Sequence, residues 1–315
     1  KAMMCQYRAV GHPIKCAVTE GLVDQAARAV GMDPAAFRRH NFHKDDSYPK
    51  KSVQGMPFEN LSHEECLSTM LDHMDYEALK AERDALRQKG IYRGIGFASF
   101  IEVTNPSAMF YGVGGARISA QDGATLRLDA KGNVFVSTGA TEQGQGMEAV
   151  ISQVAATAVG VKPERLKIIT GDTEHTPYGG GTWGSRAAGI GGEAVAQAGR
   201  QLRLQILTAA AAMLQEDAST LDIRDGVVVD ADTGNERIGL DEIGRICYYR
   251  PDTLPDGFQA ELVATKHYVP RKFPFAFTNG AQASYLEVDT DTGFIRLLNH
   301  WCVEDCGTVI NPLLV

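Results

Sequence analysis

Short runs of glycine at the junctions between predicted strands and helices constrain this chain more than any other feature of its sequence. Glycine makes up 33 of the 315 residues. Two of the runs, at residues 139–146 and 178–186, each come directly before a predicted helix. Because a glycine run loses much conformational entropy on folding, it is typical of a loop whose backbone must approach another group closely. The pattern predicts a folded chain with tight, ordered loops at the ends of its strands.

The chain changes character near residue 91. Before that point the pattern is helical: Asp33 and Pro34 are suited to the N-cap and first position of one helix, and Ser62 with Glu65 has the spacing of a capping box. After it, strand and helix patterns are mixed and no internal repeat is present. We therefore predict an α+β (mixed α/β) fold divided into residues 1–91 and 92–315.

Several elements follow from local patterns of apolar residues and turn residues. We expect helices at residues 19–30, from Met147 onward and at 187–214, hairpins at 125–137 and 223–229, a short strand at 166–170, and longer strands at 258–269, 281–289 and 294–303.

Charge and composition exclude some classes of function. The net charge is −8, which disfavours binding to a phosphate backbone, so we expect no nucleic-acid partner. No apolar stretch has the length of a membrane span, and the N-terminus lacks the apolar core of a signal peptide. Because residue 1 is a lysine, we expect the chain to begin inside a longer polypeptide. The six cysteines form no two-residue-spaced pair, which predicts reduced thiols in the cytoplasm rather than a metal or redox site.

The run at residues 139–146 contains Glu142, Gln143 and Gln145 and precedes the helix that begins at Met147. Backbone amides at a helix N-terminus favour an anion, and a glutamine side chain both donates and accepts hydrogen bonds. The run therefore indicates a site for a polar or phosphate-bearing ligand. An ordinary strand-to-helix turn remains the alternative, and for Glu142 a structural hydrogen bond is the alternative to acid–base chemistry.

Two further segments contain candidate binding residues. The run at 178–186 contains Trp183, Ser185 and Arg186, whose presence disfavours a flexible linker. The segment 5–13 contains Arg8, a permanent cation beside small residues, for which an ordinary surface arginine is the alternative.

Taken together, these segments resemble the large subunit of the molybdenum hydroxylases, the family of xanthine oxidase and carbon monoxide dehydrogenase. The resemblance runs through almost the whole chain and is weakest at residues 215–261. Its blocks, which occur in the family's order, are Tyr-Arg-Ala-Val-Gly-His-Pro (7–13) with residues 19–24 and 31–42, Thr-Glu-Gln-Gly-Gln-Gly (141–146), residues 171–173 through Thr-Trp-Gly-Ser-Arg (182–186), and Val-Glu-Asp-Cys-Gly-Thr-Val-Ile-Asn-Pro (303–312).

The resemblance implies a molybdenum cofactor and several partners. In this family the large subunit holds molybdenum on a pterin dithiolene, often as the cytosine dinucleotide, and electrons leave through [2Fe–2S] clusters to FAD on other subunits or domains. We accordingly expect an iron–sulfur subunit, an FAD subunit and a small organic substrate. In these terms the chain is the helical end of one molybdopterin-binding domain followed by the first part of a second.

The resemblance also assigns roles to individual residues. Arg8 matches the active-site arginine that orients substrate or stabilises developing negative charge. Tyr48, Phe100 and Glu102 fall in regions that supply the substrate pocket, although ordinary packing explains them equally well. No residue is expected to bind the metal directly. The residues expected to contact the cofactor are Gln143, Gly144, Gln145, Gly146, Thr182, Trp183, Gly184, Ser185 and Arg186.

The departures from the family pattern shape the functional hypothesis. Ala9 stands where a carbon monoxide dehydrogenase has its copper-binding cysteine, which favours hydroxylation of an aldehyde or N-heteroaromatic compound with water as the oxygen source. The family's catalytic glutamate motif and its glycine–phenylalanine cofactor loop are not among the 315 residues. We therefore expect no turnover by this chain alone, and expect the remaining part of the subunit to supply the glutamate. The alternative is a non-catalytic cofactor-binding or scaffold module.

Overall fold

The computed structural model describes residues 7–53, 55–112, 115, 117–271 and 275–314. The chain forms two compact units, each built from separate parts of the sequence. The first unit contains residues 1–103 and 277–309, and the second contains residues 104–276 and 310–315. The predicted mixture of helices and sheets is confirmed.

The helices are α1 His12–Ala29, α2 Pro34–Asn41, α3 His63–His73, α4 Tyr76–Arg87, α5 Met147–Val159, α6 Gly192–Leu214 and α7 Leu240–Tyr249. The strands are β1 Lys50–Lys51, β2 Pro57–Phe58, β3 Tyr92–Thr104, β4 Asp122–Leu128, β5 Val134–Thr138, β6 Leu166–Ile169, β7 Leu221–Arg224, β8 Val227–Asp230, β9 Glu236–Gly239, β10 Val263–Tyr268, β11 Ala276–Val288 and β12 Ile295–Asp305.

The two units do not follow the division expected near residue 91. Strand β3 lies beside β11, which in turn pairs with β12, so the end of the chain completes the sheet that begins after α4. This sheet packs its buried face against α3 and α4, with Leu67, Met70 and Phe97 at the centre of the core. Pairing between strands distant in sequence therefore decides which residues share a unit.

Local signals predicted the start of α2 in the first unit correctly, but not the start of α1. The Asp33 carboxylate accepts hydrogen bonds from the amides of Ala35 and Ala36 at 2.9 and 3.1 Å, as expected of an N-cap. Helix α1 begins at His12, earlier than the expected residue 19, because Pro13 fits the first turn, where its missing amide hydrogen costs nothing.

The expected capping box at Ser62 is wrong. The Ser62 hydroxyl donates to Asp305 at 2.5 Å instead of capping α3. The amides of Glu64 and Glu65 donate to the two carboxylate oxygens of Asp45, at 3.2 and 3.0 Å. A carboxylate from a preceding loop therefore caps α3 and also matches the positive end of its dipole.

A four-stranded sheet forms the centre of the second unit, in the order β10-β4-β5-β6. Strands β4 and β5 form the predicted hairpin, whereas β5 and β6 are parallel and are joined through α5. Helix α6 packs against the sheet and against α5. The core contains many aliphatic side chains without exposed surface, including Leu126, Val136, Ile151 and Leu202.

The remaining elements of the second unit form a smaller layer. Strands β7, β8 and β9 make an antiparallel sheet, and the predicted hairpin turns at Asp225 and Gly226, both with positive φ. The strand expected at 258–269 is shorter, whereas β11 begins before the expected residue 281. A π-helical turn at Ala187–Gly191 precedes α6, at the point where glycines interrupt the expected helix.

The cysteines agree with the predicted reduced thiols within the described ranges, where Cys16, Cys66, Cys247, Cys302 and Cys306 are free. Among the same residues, no group of three or more potential metal-binding side chains is assembled. No helix in the described part of the chain combines the length and apolar composition that crossing a membrane requires.

Candidate functional site

The two glycine runs of the second unit lie at one edge of its central sheet. We call residues 139–146 the first loop and residues 178–186 the second loop. The first loop directly follows β5, and the chain that leaves β6 leads into the second. Because β5 and β6 are parallel, their carboxyl ends share an edge, which is where α/β sheets commonly bind ligands. The topology therefore brings both predicted loops together.

Hydrogen bonds join the two loops directly. The Thr182 hydroxyl accepts a hydrogen bond from the amide of Thr141 at 2.8 Å and donates to the carbonyl of Thr141 at 2.7 Å. The Gln143 side-chain amide donates to the carbonyl of Thr182 at 3.1 Å. The predicted site residues Gln143 and Thr182 thus hold one loop against the other.

The carboxylate of Glu142 occupies the amino end of α5. It accepts hydrogen bonds from the amides of Gln143, Gly144, Gly146 and Glu148, at distances from 2.7 to 3.2 Å. The hydrogen bond from the Glu148 amide and its neighbours lowers the pKa of the Glu142 carboxyl. These amides are therefore paired within the loop, which is the structural role given as the alternative for Glu142. The site for a polar or phosphate-bearing ligand at this run stays a prediction.

The rim of the first loop stays open to a ligand. Gly144 and Gly146 have φ of +84° and +78°, and a Cβ on either would meet nothing within 4 Å. Both are exposed, as is Gln145 between them. The Gln145 carboxamide oxygen accepts from the amide of Gln143 at 2.6 Å, and its nitrogen donates to the carbonyl of Thr141 at 3.3 Å. Since that nitrogen carries two hydrogens, the second is the group that a ligand can use. This rim suits a planar, hydrogen-bonding ligand.

The second loop presents Gly184 and Ser185 to solvent. Ser185 has a positive φ of 51°, which non-glycine residues rarely adopt, and its carbonyl accepts a hydrogen bond from the amide of Asn105 at 3.4 Å. Trp183 is half-buried, and its indole nitrogen donates to the carbonyl of Gly180 at 3.0 Å. The strained backbone at Ser185 aims a hydroxyl-bearing residue outward, as functional loops often do.

Arg186 does not have the ligand-contacting side chain that the sequence suggested. The side chain has no exposed surface, and its guanidinium donates to the carbonyls of Gly181 and Gln121 at 2.8 and 2.7 Å. It also lies 5.6 Å from the centre of the Trp183 ring. A guanidinium has several donors in one plane, so the Arg186 side chain can bond to both carbonyls at once. It therefore holds the second loop from inside the protein rather than facing a ligand.

Sequence reasoning missed Asp122, the partner of Arg186. Asp122 begins β4 and has no exposed surface, and its carboxylate lies 3.7 Å from the Arg186 guanidinium. Burial raises the pKa of the Asp122 carboxyl, and the charge of Arg186 opposes that rise. A buried carboxylate in a strand among apolar residues is the one signal in the sequence that could have identified it, because such a charge needs a partner.

Arg8 lies in the first unit, in an exposed turn before α1. The amide of Val10 donates to the carbonyl of Tyr7 at 2.7 Å, and Ala9 and Val10 have φ of 65° and 52°. Cys5 and Gln6, the beginning of the predicted segment, lie outside the described residues. The turn leaves the Arg8 side chain exposed, which an arginine that binds a substrate requires.

The predicted pocket residues Tyr48, Phe100 and Glu102 also belong to the first unit and are half-buried. Tyr48 packs edge-on against His43, and the Glu102 carboxylate lies 3.5 Å from the His12 ring. The Phe100 ring packs so closely over Gly280 that a Cβ there would lie 2.8 Å from it. These contacts explain all three as packing residues and leave their role toward a substrate as a prediction.

Family models match the chain over most of its length. A model described as a molybdopterin cofactor-binding domain matches residues 69–315, and a second model of the same description matches residues 1–42.

Curated relatives and solved structures are similar to the chain over almost all of its residues. The large subunit of nicotine 6-hydroxylase from Paenarthrobacter nicotinovorans is 31% identical over 315 residues, which is 100% of this chain and 38% of the relative. The carbon monoxide dehydrogenase large chain of Hydrogenophaga pseudoflava is 31% identical over 94% of this chain and 36% of its own. The crystal structure of quinoline 2-oxidoreductase from Pseudomonas putida 86 superposes with a TM-score of 0.84 at 31% identity, covering 98% of this chain and 39% of that one. The chain thus spans less than two fifths of the length of these relatives.

Proposed function

Because this chain belongs to the molybdopterin cofactor-binding domain family, we propose that it is part of the molybdenum-cofactor catalytic subunit of a hydroxylase or dehydrogenase. The proposed reaction is oxidation of an aldehyde or an N-heteroaromatic substrate, with water as the source of oxygen. This activity is proposed for the whole subunit, and the 315 residues described above form one part of it.

The joined pair of loops at the sheet edge is the observation that supports this function best. The exposed carboxamide of Gln145 lies between two glycines that require positive φ, and Thr182 fixes the second loop beside it. Such a rim can hydrogen-bond along a pterin without a side chain in the way. Since Glu142 already satisfies the amides at the start of α5, binding there depends on neutral hydrogen bonds rather than on charge.

Within this proposal, Gln145, Gly184 and Ser185 hold the cofactor, which supplies the redox-active metal centre when bound. The backbones of Gly144 and Gly146 let it approach closely. Arg8 contributes a permanent cation that orients a substrate carbonyl or ring nitrogen and offsets negative charge that develops on it. We assign the proton-accepting glutamate to the part of the subunit beyond these 315 residues.

The substrate class follows from Ala9 and from the relatives. Ala9 has no sulfur, so it cannot take the place of the copper-binding cysteine of a carbon monoxide dehydrogenase. Relatives named for nicotine and quinoline act on ring nitrogen compounds according to their names. The cytosine dinucleotide form of the cofactor, the iron–sulfur and FAD subunits and a cytoplasmic location are parts of the same proposal.

Oxygen-isotope transfer and an arginine variant test the catalytic part of the proposal. The full-length subunit in its native complex is assayed on aldehydes and N-heteroaromatic compounds in water enriched in oxygen-18, and the product is expected to carry the label. Arg8→Ala is expected to lower kcat/KM at least roughly a hundredfold, as for removal of a donor that stabilises a transition state. Arg28→Ala, which removes an exposed arginine at the end of α1, is the control.

Two outcomes contradict this assignment. An unlabelled product excludes water as the oxygen source. Equal activity of the Arg8 and Arg28 variants removes Arg8 from the active site and favours a scaffold module that retains the fold without turning over substrate.

A further inference from the structure

A buried ion pair lies directly beneath the two loops. Asp122 and Arg186 have no exposed surface, and the carboxylate Oδ2 is 3.7 Å from the guanidinium Nη2. Arg186 comes at the end of the second loop, immediately before the π-helical turn that leads into α6. Asp122 begins β4, beside the strand that leads into the first loop. The pair therefore joins the start of β4 to the end of the second loop.

Three glycines are packed around this pair. A Cβ on Gly139, the first residue of the first loop, would lie 2.6 Å from the Asp122 carboxylate and 2.7 Å from the backbone of Gly179. A Cβ on Gly179 would overlap that carboxylate, and one on Gly180 would overlap the Arg186 guanidinium. The two loops thus converge on the charges, and glycine is the residue that makes this approach possible.

The charges depend on each other. Asp122 accepts a hydrogen bond from the amide of Gly123 at 2.9 Å through Oδ1, whereas Oδ2 and the Arg186 Nε have no hydrogen-bond partner among the described residues. Removing either charge alone leaves the other buried and uncompensated, which proteins tolerate poorly, whereas replacing both with neutral groups often costs little. Without the Asp122 carboxylate, the buried Arg186 guanidinium keeps its hydrogen bonds to the carbonyls of Gly181 and Gln121 but has lost the negative charge that compensates it.

We propose that Asp122 and Arg186 are a positioning pair that sets the distance between the first and second loops and so determines how firmly the subunit holds its cofactor. Neither side chain touches the ligand. The inference rests on the proposed function, because it concerns the same cofactor.

The variants Asp122→Asn, Arg186→Met and the double variant, made in the full-length subunit and purified as the native complex, test this pair. Molybdenum and pterin are measured per folded complex, together with the rate at which pterin is lost on warming and the electron paramagnetic resonance spectrum of Mo(V). We expect roughly tenfold faster pterin loss in each single variant, as for other residues that orient a binding group, and partial recovery in the double variant. Glu242→Gln, which removes an exposed ion pair from α7, is the control and should behave as wild type.

The outcomes separate this inference from the function on which it rests. Wild-type complex without molybdenum and pterin contradicts the proposed function itself. If the wild type holds the cofactor and the single variants retain it equally well, with an unchanged Mo(V) spectrum, the positioning role is wrong. Single variants with a lower melting temperature but normal pterin retention per folded complex also overturn the positioning role. That result would mean that the ion pair only stabilises the fold.

Discussion

The hydroxyl of Thr182 forms two hydrogen bonds with the backbone of Thr141, accepting from its amide at 2.8 Å and donating to its carbonyl at 2.7 Å. A single side chain therefore satisfies both polar groups of one peptide position in the neighbouring loop. The two loops are about forty residues apart in the sequence, and this contact fixes the position of one loop relative to the other at the edge of the sheet.

Replacement of Thr182 by valine is expected to separate the two loops. Valine keeps the shape of threonine but removes the partner of the Thr141 amide and leaves the Thr141 carbonyl with the hydrogen bond from Gln145, which costs about 1–3 kcal/mol. Chemical denaturation of the full-length subunit measures this loss, and pterin content should fall with it. Thr182→Ser retains the hydroxyl and is expected to stay within about 0.5 kcal/mol of wild type; equal losses in both variants would count against the hydrogen bonds as the cause.

The carboxylate of Glu142 makes the first loop sensitive to acid. Its pKa is lowered in the folded chain, so its stabilising contribution is complete above the ordinary glutamate pKa of about 4.3 and is lost as the pH falls through the folded value. We expect Glu142→Gln to lower the melting temperature near neutral pH. As the pH falls, the melting temperature of this variant should decrease less than that of the wild type. Glu148→Gln is the matched control, because among the described contacts that carboxylate accepts no amide hydrogen bond at this helix end and bonds to the Thr170 hydroxyl instead; an equal change in both variants would refute the assignment to Glu142.

Arg38 is expected to be the most sensitive arginine of the first unit. Its side chain is 2% exposed, and it bridges Glu20 and Asp24 of α1 and the carbonyl of Phe97 in β3, at 2.7 to 3.1 Å. Arg38→Ala leaves these groups without a partner and should reduce the free energy of unfolding by about 3 kcal/mol. Arg39→Ala, an exposed neighbour bonded only to Ser68 among the described contacts, should cost less than about 0.5 kcal/mol. Similar losses at both positions in urea denaturation would disprove the bridging role.

Gly179 and Gly192 are expected to respond in opposite ways to alanine. A Cβ at Gly179 overlaps the Asp122 carboxylate, so Gly179→Ala should destabilise the subunit by about 1–3 kcal/mol. At Gly192, in the first turn of α6, a Cβ meets nothing within 4 Å and φ is −61°, so alanine should be neutral or stabilising by up to about 1 kcal/mol. Thermal denaturation of both variants checks the difference, and a neutral Gly179→Ala would mean that the loops do not pack as described.

The sequence predicted correctly those elements that are determined by residues adjacent in the chain. Asp33 and Pro34 specify the start of α2 by themselves, and the longer strands expected on either side of Gly293 are found as β11 and β12. The cap of α3 was mispredicted because Ser62 bonds to Asp305, a residue 243 positions away, while Asp45 takes over the helix end. Capping motifs carry no information about such distant competitors.

The candidate site shows the same limit. Its glycine loops and Gln145 could be identified from sequence, because a glycine run before a helix indicates a backbone that must turn tightly or approach another group closely. The burial of Arg186 could not, since it depends on Asp122 in a strand that only the folded sheet places beneath the loop. Likewise, the amide cluster at α5 was a sound prediction of an anion site, and the anion proved to be the chain's own Glu142.

The molybdenum and pterin content of the purified full-length subunit tests the central claim most directly. After expression with molybdate and sulfur in excess, we expect close to one molybdenum and one pterin per subunit, with cytidine monophosphate released on mild hydrolysis of the cofactor. A subunit that is folded by circular dichroism and assembled in its complex, yet contains neither molybdenum nor pterin, would contradict the account.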